Sequence, residues 1–130
     1  MSVSRYDAKK KLFFIPLAIK SGRLVETNEP PRPYDETPLS EVVESQVAVL
    51  RRDIRETRSY VQDTQFIRKG FESEMLFPLV SNGKVFGTFQ VGCFEADRLK
   101  ERHLRIVSQI LPAITLAMKQ LMERDRDLFV

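Results

Sequence analysis

The chain has 130 residues, with 42% hydrophobic and 30% charged residues and a formal net charge of +3, a length and balance that exclude both a disordered polymer and two separate cores. No apolar run approaches the roughly 20 residues that span a bilayer, and the opening MSVSRYDAKKKLFF lacks the charged, apolar and small-residue succession of a secretory signal, so a cytoplasmic segment without membrane contact is expected. A single cysteine, Cys93, and a single histidine, His103, exclude an internal disulfide and leave a structural zinc site short of ligands, so neither metal nor cofactor is expected.

Val3 to Tyr6 and Leu12 to Ile19 are rich in aromatic and β-branched residues and flank the polar Asp7-Ala8-Lys9-Lys10, which predicts a first hairpin. Lys20 to Tyr34 carries Ser21-Gly22, Asn28, Pro30, Pro31 and Pro33, a composition that propagates neither helix nor central strand, and reads as an extended loop. Thr37-Pro38 supplies an N-cap hydroxyl and a proline at the first helical position, and Leu39, Val42 and Val43 form an apolar stripe. A short helix to about Ser45 follows. Val47 to Leu50 reads as a buried strand, and Val61, Gln65, Phe66 and Lys69 permit a helix that Gly70 would cap.

Ser73 to Val80 and Val85 to Phe94 flank Ser81-Asn82-Gly83-Lys84, where Asn-Gly supplies the positive φ angles of a tight hairpin. From Asp97 onward apolar residues recur at threes and fours, predicting a closing helix over 97–126, apolar on two faces and bent at Pro112. The order of elements describes an α+β domain: an antiparallel sheet of about five to six strands with helices on both faces and a long C-terminal helix.

The segment from Thr37-Pro38-Leu39 through Val42-Val43-Glu44-Ser45 to Arg52-Asp53 resembles the GAF domain family, which is related to PAS domains. The likeness resumes at Ser73, Pro78-Leu79 and Val85-Phe86-Gly87 and extends over roughly residues 2 to 122. Gln46 and Ala48 depart from the family pattern. The resemblance implies a single domain, 1–130, cut from a larger protein and lacking the helix with which family members normally open. Either that helix has been trimmed away, or the sheet face it would cover is covered by the closing helix and a partner chain.

For catalysis the chain offers no nucleophile with a base, no paired carboxylates in a cleft and no phosphate-cradling loop, since Gly22, Gly70, Gly83, Gly87 and Gly92 are scattered. It is therefore read as a non-enzyme. Lys and Arg are interleaved with Asp and Glu, with no basic tract among aromatics, so nucleic-acid binding is not expected. Cys93 reads as a small hydrophobe rather than a redox centre, and His103 as a packing or surface residue. Arg51, Arg52, Arg55 and Arg58 read either as a cradle for an anionic ligand or as solvated partners of Asp53 and Glu56, the latter being favoured.

What the resemblance implies is a sensory or regulatory input domain of a bacterial-type signalling protein, binding a small molecule, dimerising, or both, to control an output domain in the same parent chain. The alternative is a purely structural dimerisation module without ligand. A ligand cavity between one sheet face and the middle helices is expected near Arg52, Asp53, Phe66, Phe71, Ser73 and Phe77. Leu99, His103, Ile106, Ile110, Ala113 and Ala117 follow alternating steps of four and three, as a two-helix seam does, and are the expected homodimer interface. Leu104, Val107, Leu111, Ile114, Met118 and Leu121 are left to face the sheet.

Overall fold

The computed structural model describes residues 1–57 and 59–124; Arg58 and the end of the expected closing helix lie outside them. Strands β1 (Ser2–Asp7) and β2 (Leu12–Lys20) form the first hairpin. Its turn is tied by the Asp7 carboxylate, which accepts from the backbone N–H groups of Lys9 and Lys10 at 3.0 Å. The segment after β2, expected as a loop, adds two short strands, β3 (Arg23–Glu26) and β4 (Arg32–Pro33), along the outer edge of β2. Ser21 and Gly22 at φ 50° and 75° make a two-residue hairpin turn into β3. At that edge a proline interrupts no further ladder.

Helix α1 (Leu39–Ser45) follows Thr37, whose hydroxyl accepts from the Leu39 N–H at 3.3 Å. Then come β5 (Val49–Arg51), a 3₁₀ turn at Ile54–Glu56, α2 (Val61–Arg68), β6 (Ser73–Ser81), β7 (Lys84–Cys93) and α3 (Glu101–Arg124). The β6–β7 hairpin closes on Asn82 and Gly83 at φ 54° and 74°, as the Asn-Gly pair predicts. All pairings are antiparallel in one seven-stranded sheet of order β3-β2-β1-β7-β6-β5, with β4 also on β2. The five to six strands expected thus become seven because the edge segments pair.

Strand β6 is buried from Ser73 to Leu79 because helices lie on both faces of the sheet. Met75, Phe77 and Leu79 join Phe89 of β7 and Met118 of α3 in one core cluster, against which Leu104, Val107, Leu111, Ile114 and Leu121 pack. On the opposite face Leu76 meets Phe13 of β2 and Leu39 and Val42 of α1. Pro78 lies beyond the stretch of β6 that pairs with β5, so its missing N–H disrupts no ladder there.

Helix α3 starts at Glu101 and not near Asp97. Asp97 sits at φ 58°, and its N–H donates to the Arg52 carbonyl at 2.7 Å, which turns the chain before the helix can begin. His103 then closes the first turn, its Nδ1 accepting from the Lys100 N–H at 2.9 Å, the reach-back half of a capping box. The helix runs through Pro112.

Strands β1 and β7 approach most closely at Gly87, where a Cβ would stand 2.3 Å from the Ser4 carbonyl oxygen. Gly87→Ala must therefore push β1 from the sheet centre, and we expect a loss of roughly 1–3 kcal/mol, read as a lower midpoint in urea unfolding. An unchanged midpoint would show that β1 yields without cost.

Candidate functional site

The chemistry of the α1/α2 face begins at a short strand. Arg51, the last residue of β5, stands opposite Glu74 of β6 in the antiparallel register, so both side chains leave the same face of the sheet. The Arg51 side chain is 2% exposed. Its guanidinium grips Asp63 of α2 with both prongs at 2.8 Å, donates to Glu74 at 2.9 Å, and donates to the Thr57 hydroxyl from Nε and Nη2 at 3.0 and 2.7 Å. The Tyr60 ring lies 5.6 Å from its centre. Gln90 of β7 donates to the free oxygen of Glu74 at 2.7 Å.

Among the described residues one cation here faces two carboxylates. Burial pushes the Glu74 carboxyl above its ordinary range, against the pull of Arg51 and Gln90, and proton uptake there would leave Arg51 and Asp63 as a balanced pair.

Helix α2 is attached mainly by this knot. Asp63 is its one buried residue, while Val61 is 64% exposed. Asp63 also caps the helix by accepting from the Tyr60 N–H at 2.9 Å. At the other end Gly70, at φ 96°, donates to the Ile67 carbonyl and Phe71 donates to the Phe66 carbonyl. That is a Schellman ending, which brings the residue after the glycine back onto the last turn. It stacks Phe71 on Phe66 at 4.3 Å between centroids. Gly92 makes room for the pair, since a Cβ there would stand 2.7 Å from the Phe71 ring.

Between this aromatic pair, β2, β7 and the 27–32 connection lies a cavity of about 150 Å³. An adjoining recess of about 20 Å³ shares Arg32, Phe66, Lys69 and Gln90 with it and ends at Asp63 and Glu74. At the outer rim Glu29 receives Arg32 on one carboxylate oxygen and Lys69 on the other, at 3.5 Å. Burial raises the Glu29 proton affinity, but the two cations more than offset it and hold the carboxyl below its usual range. A second concavity, about 330 Å³ and lined chiefly by Val3, Leu17, Phe89, Ile114, Met118 and Leu121, lies on the α3 face.

The expected ligand residues divide. Phe66 and Phe71 line the cavity. Arg52 is exposed and lies 3.8 Å from Glu101, Asp53 caps the 3₁₀ turn by accepting from the Arg55 N–H, Ser73 donates to the Glu95 carbonyl at 2.7 Å, and Phe77 is buried against α3. Strand alternation is the reason: stepping one residue, to Arg51 and Glu74, reaches the other face. A charged residue inside an apolar strand, as Glu74 is, was the available signal. Of the arginines, Arg55 pairs with Asp53 and Glu72, whereas Arg51 is neither a ligand cradle nor solvated. Cys93 is half-buried.

On α3, Ile106, Ile110, Ala113 and Ala117 are exposed. His103 caps the helix, and Leu99 precedes it and packs into the core cluster; neither belongs to the outward stripe. Among the described residues no His, Cys, Asp or Glu group is gathered for a metal, and no helix is long and apolar enough to cross a membrane.

A family model described as "GAF domain" matches residues 2–119. Among solved structures, the chain is similar to the GAF domain of a two-component sensor histidine kinase from Bacillus halodurans, with a TM-score of 0.75 at 10% identity over 95% of this chain and 82% of that one. It is similar to the GAF domain of a phosphoenolpyruvate-protein phosphotransferase from Coxiella burnetii, with a TM-score of 0.74 at 10% identity over 95% and 73%. A free methionine-R-sulfoxide reductase from Neisseria meningitidis, solved with its substrate, gives 0.64 at 14% identity over 91% and 67%. No curated protein matches the sequence. At such identities the structural likeness shows the fold alone.

The Arg51 knot makes two expectations. Arg51→Met leaves two buried carboxylates without their cation and should cost about 3–5 kcal/mol in urea unfolding at neutral pH. Because the folded chain binds the Glu74 proton more tightly than the unfolded chain does, Glu74 withdraws stability as pH rises through and above the ordinary value of 4.5. Glu74→Gln should remove that share of the decline, seen as a flatter stability profile as pH rises above the ordinary value of 4.5. An unchanged profile would mean that Glu74 is ionised in the fold as readily as in the unfolded chain.

Proposed function

The chain belongs to the GAF domain family, a family of regulatory and sensory domains in signalling proteins, and from that premise we propose that it is the cytosolic small-molecule-binding input module of a bacterial-type signalling protein, controlling an output domain in the same parent chain. The observation that carries this reading is the cavity beneath α2, walled by Phe66 and Phe71 and closed by a helix attached through one buried ion knot. A helix with so little apolar anchoring opens at low cost relative to the sheet, which is what ligand entry requires. The Arg52 carbonyl, next to Arg51, accepts from Asp97 at 2.7 Å just before α3 begins. A shift of α2 and β5 on binding therefore reaches the base of α3, where it biases the packing of that helix.

The domain works by binding and not by turnover. A sulfenic acid formed on Cys93 would find no second thiol in the chain to condense with, and Cys93 is not among the residues that line the cavity. Dimerisation is the companion proposal: Ile106 and Ile110 of α3 are 58% and 55% exposed and share one side of the helix with exposed Ala113 and Ala117, an apolar stripe beyond the one that meets the sheet, and it suits a parallel homodimer. A domain that only dimerises, with an idle cavity, is the second reading.

Native mass spectrometry separates the readings: the regulatory module retains or takes up a small molecule, while a structural dimer stays at its chain mass. Incubation with free methionine sulfoxide and a thiol reductant should yield no methionine above the protein-free rate. In sedimentation the wild-type chain should be dimeric on the order of tens of micromolar, and replacing Ile106 and Ile110 by glutamate should give folded monomers whose melting temperature falls only by the lost association. A wild-type monomer at that concentration would remove the dimer from the proposal.

A further inference from the structure

We infer that the cavity beneath α2 takes a small, single-ring aromatic carboxylate, its ring against Phe66, Phe71 and Gly92 and its carboxylate between Arg32 and Lys69 in the place now held by Glu29. This inference rests on the ligand-binding reading above and names the class of ligand.

Size comes first. A cavity of about 150 Å³ is of the order that holds one benzene-sized molecule and falls short of the roughly 300 Å³ at which drug-sized sites begin.

Shape follows from the walls. Phe71 is stacked between Phe66 and Phe94, so a ligand ring meets the Phe66 ring and the edge of Phe71, beside a strand that Gly92 keeps free of a side chain. A planar ring offset on such a surface gains stacking energy beyond its buried area.

Charge decides the remaining part. The rim carries Lys20, Arg32 and Lys69 against Glu29 alone, while the inner recess ends on Asp63 and Glu74. A carboxylate thus finds cations at the rim, while at the inner end Asp63 and Glu74 already hold the Arg51 cation. Glu29 already demonstrates the geometry, because its two oxygens are met by cations from different elements, Arg32 of β4 and Lys69 just after α2. It is carried on the connection between β3 and β4, which contains Pro30 and Pro31 and is anchored at Thr27 by the Pro16 carbonyl, 2.9 Å from the Thr27 N–H. A ligand carboxylate that replaces Glu29 keeps both charge-assisted bonds and releases Glu29 to solvent. Because it also bridges to Lys69, such a ligand fastens the C-terminal end of α2 over the cavity.

The test uses benzoate, with uncharged benzamide as its isostere, in ¹H–¹⁵N correlation spectra of the whole chain. Benzoate should shift the amides of Lys69, Phe71 and Gly92 and bind at least about tenfold more tightly than benzamide. Arg32→Gln and Lys69→Gln should each weaken benzoate about tenfold and leave benzamide unchanged. Lys69 is exposed enough that its replacement leaves folding intact even if that of Arg32 does not. Glu29→Gln should tighten benzoate by removing its competitor. Equal binding of the two probes at these amides would overturn the carboxylate assignment and leave the ligand-binding reading standing. Silence of these amides toward both probes, with no retained mass in the native spectrum, would overturn both.

Discussion

A guanidinium removed from water on the last residue of a three-residue strand is the constraint on which the rest of this domain depends. Arg51 cannot shed its charge, so the fold must bring it acceptors, and among the described residues these include Asp63 on α2, Glu74 on β6 and Thr57 in the loop between. Those bonds set the distance between α2 and the sheet, and that distance is the depth of the cavity. A buried ion knot is a weak source of stability compared with apolar packing of the same volume. Its effect here is geometric: it attaches a polar helix to a sheet at a fixed angle while leaving unfilled space beside it.

The two faces of the sheet divide the labour. Beneath α3 the contact is apolar from Met75 to Leu79 and from Leu104 to Leu121, which favours a permanent association. Beneath α1 and α2 the apolar cluster around Phe13, Leu39, Val42 and Leu76 covers only part of the sheet, and the remainder is polar and hollow. Strand β6 belongs to both faces, so a disturbance under α2 does not have to cross the protein to be felt under α3. The Ser73 hydroxyl on the Glu95 carbonyl and the Asp97 N–H on the Arg52 carbonyl add a polar joint where β5, β6 and the base of α3 meet.

This joint also explains why residues expected in the ligand site have other tasks. Arg52, Asp53 and Ser73 stand within two residues of the knot along the chain, yet they organise turns and the entry to α3. His103 likewise serves the helix start and not its outward face. Polar residues around a hollow are in demand for capping backbone groups that no regular ladder reaches.

Much of the fold was legible along the chain because its signals are local. Asn82-Gly83 specifies a tight hairpin through its own φ preferences, Gly70 after Arg68-Lys69 marks a helix end, and the spacing from Leu104 to Leu121 marks the stripe that meets the sheet. The order of elements also led to helices on both faces, and β6, buried from Ser73 to Leu79, is covered on both. Ser21-Gly22 carried a hairpin signal that the prolines after it obscured, and so β3 read as loop. Phe66 and Phe71 were expected at the cavity and line it, but its polar end was beyond reach for a different reason. A strand shows one side chain up and the next down, and a slip of one residue exchanges the faces; whether Arg51 or Arg52, Glu74 or Ser73, turns toward α2 depends on which residue of β6 pairs with which residue of β5. That register is set by contacts between segments far apart in sequence, and only the assembled sheet decided it.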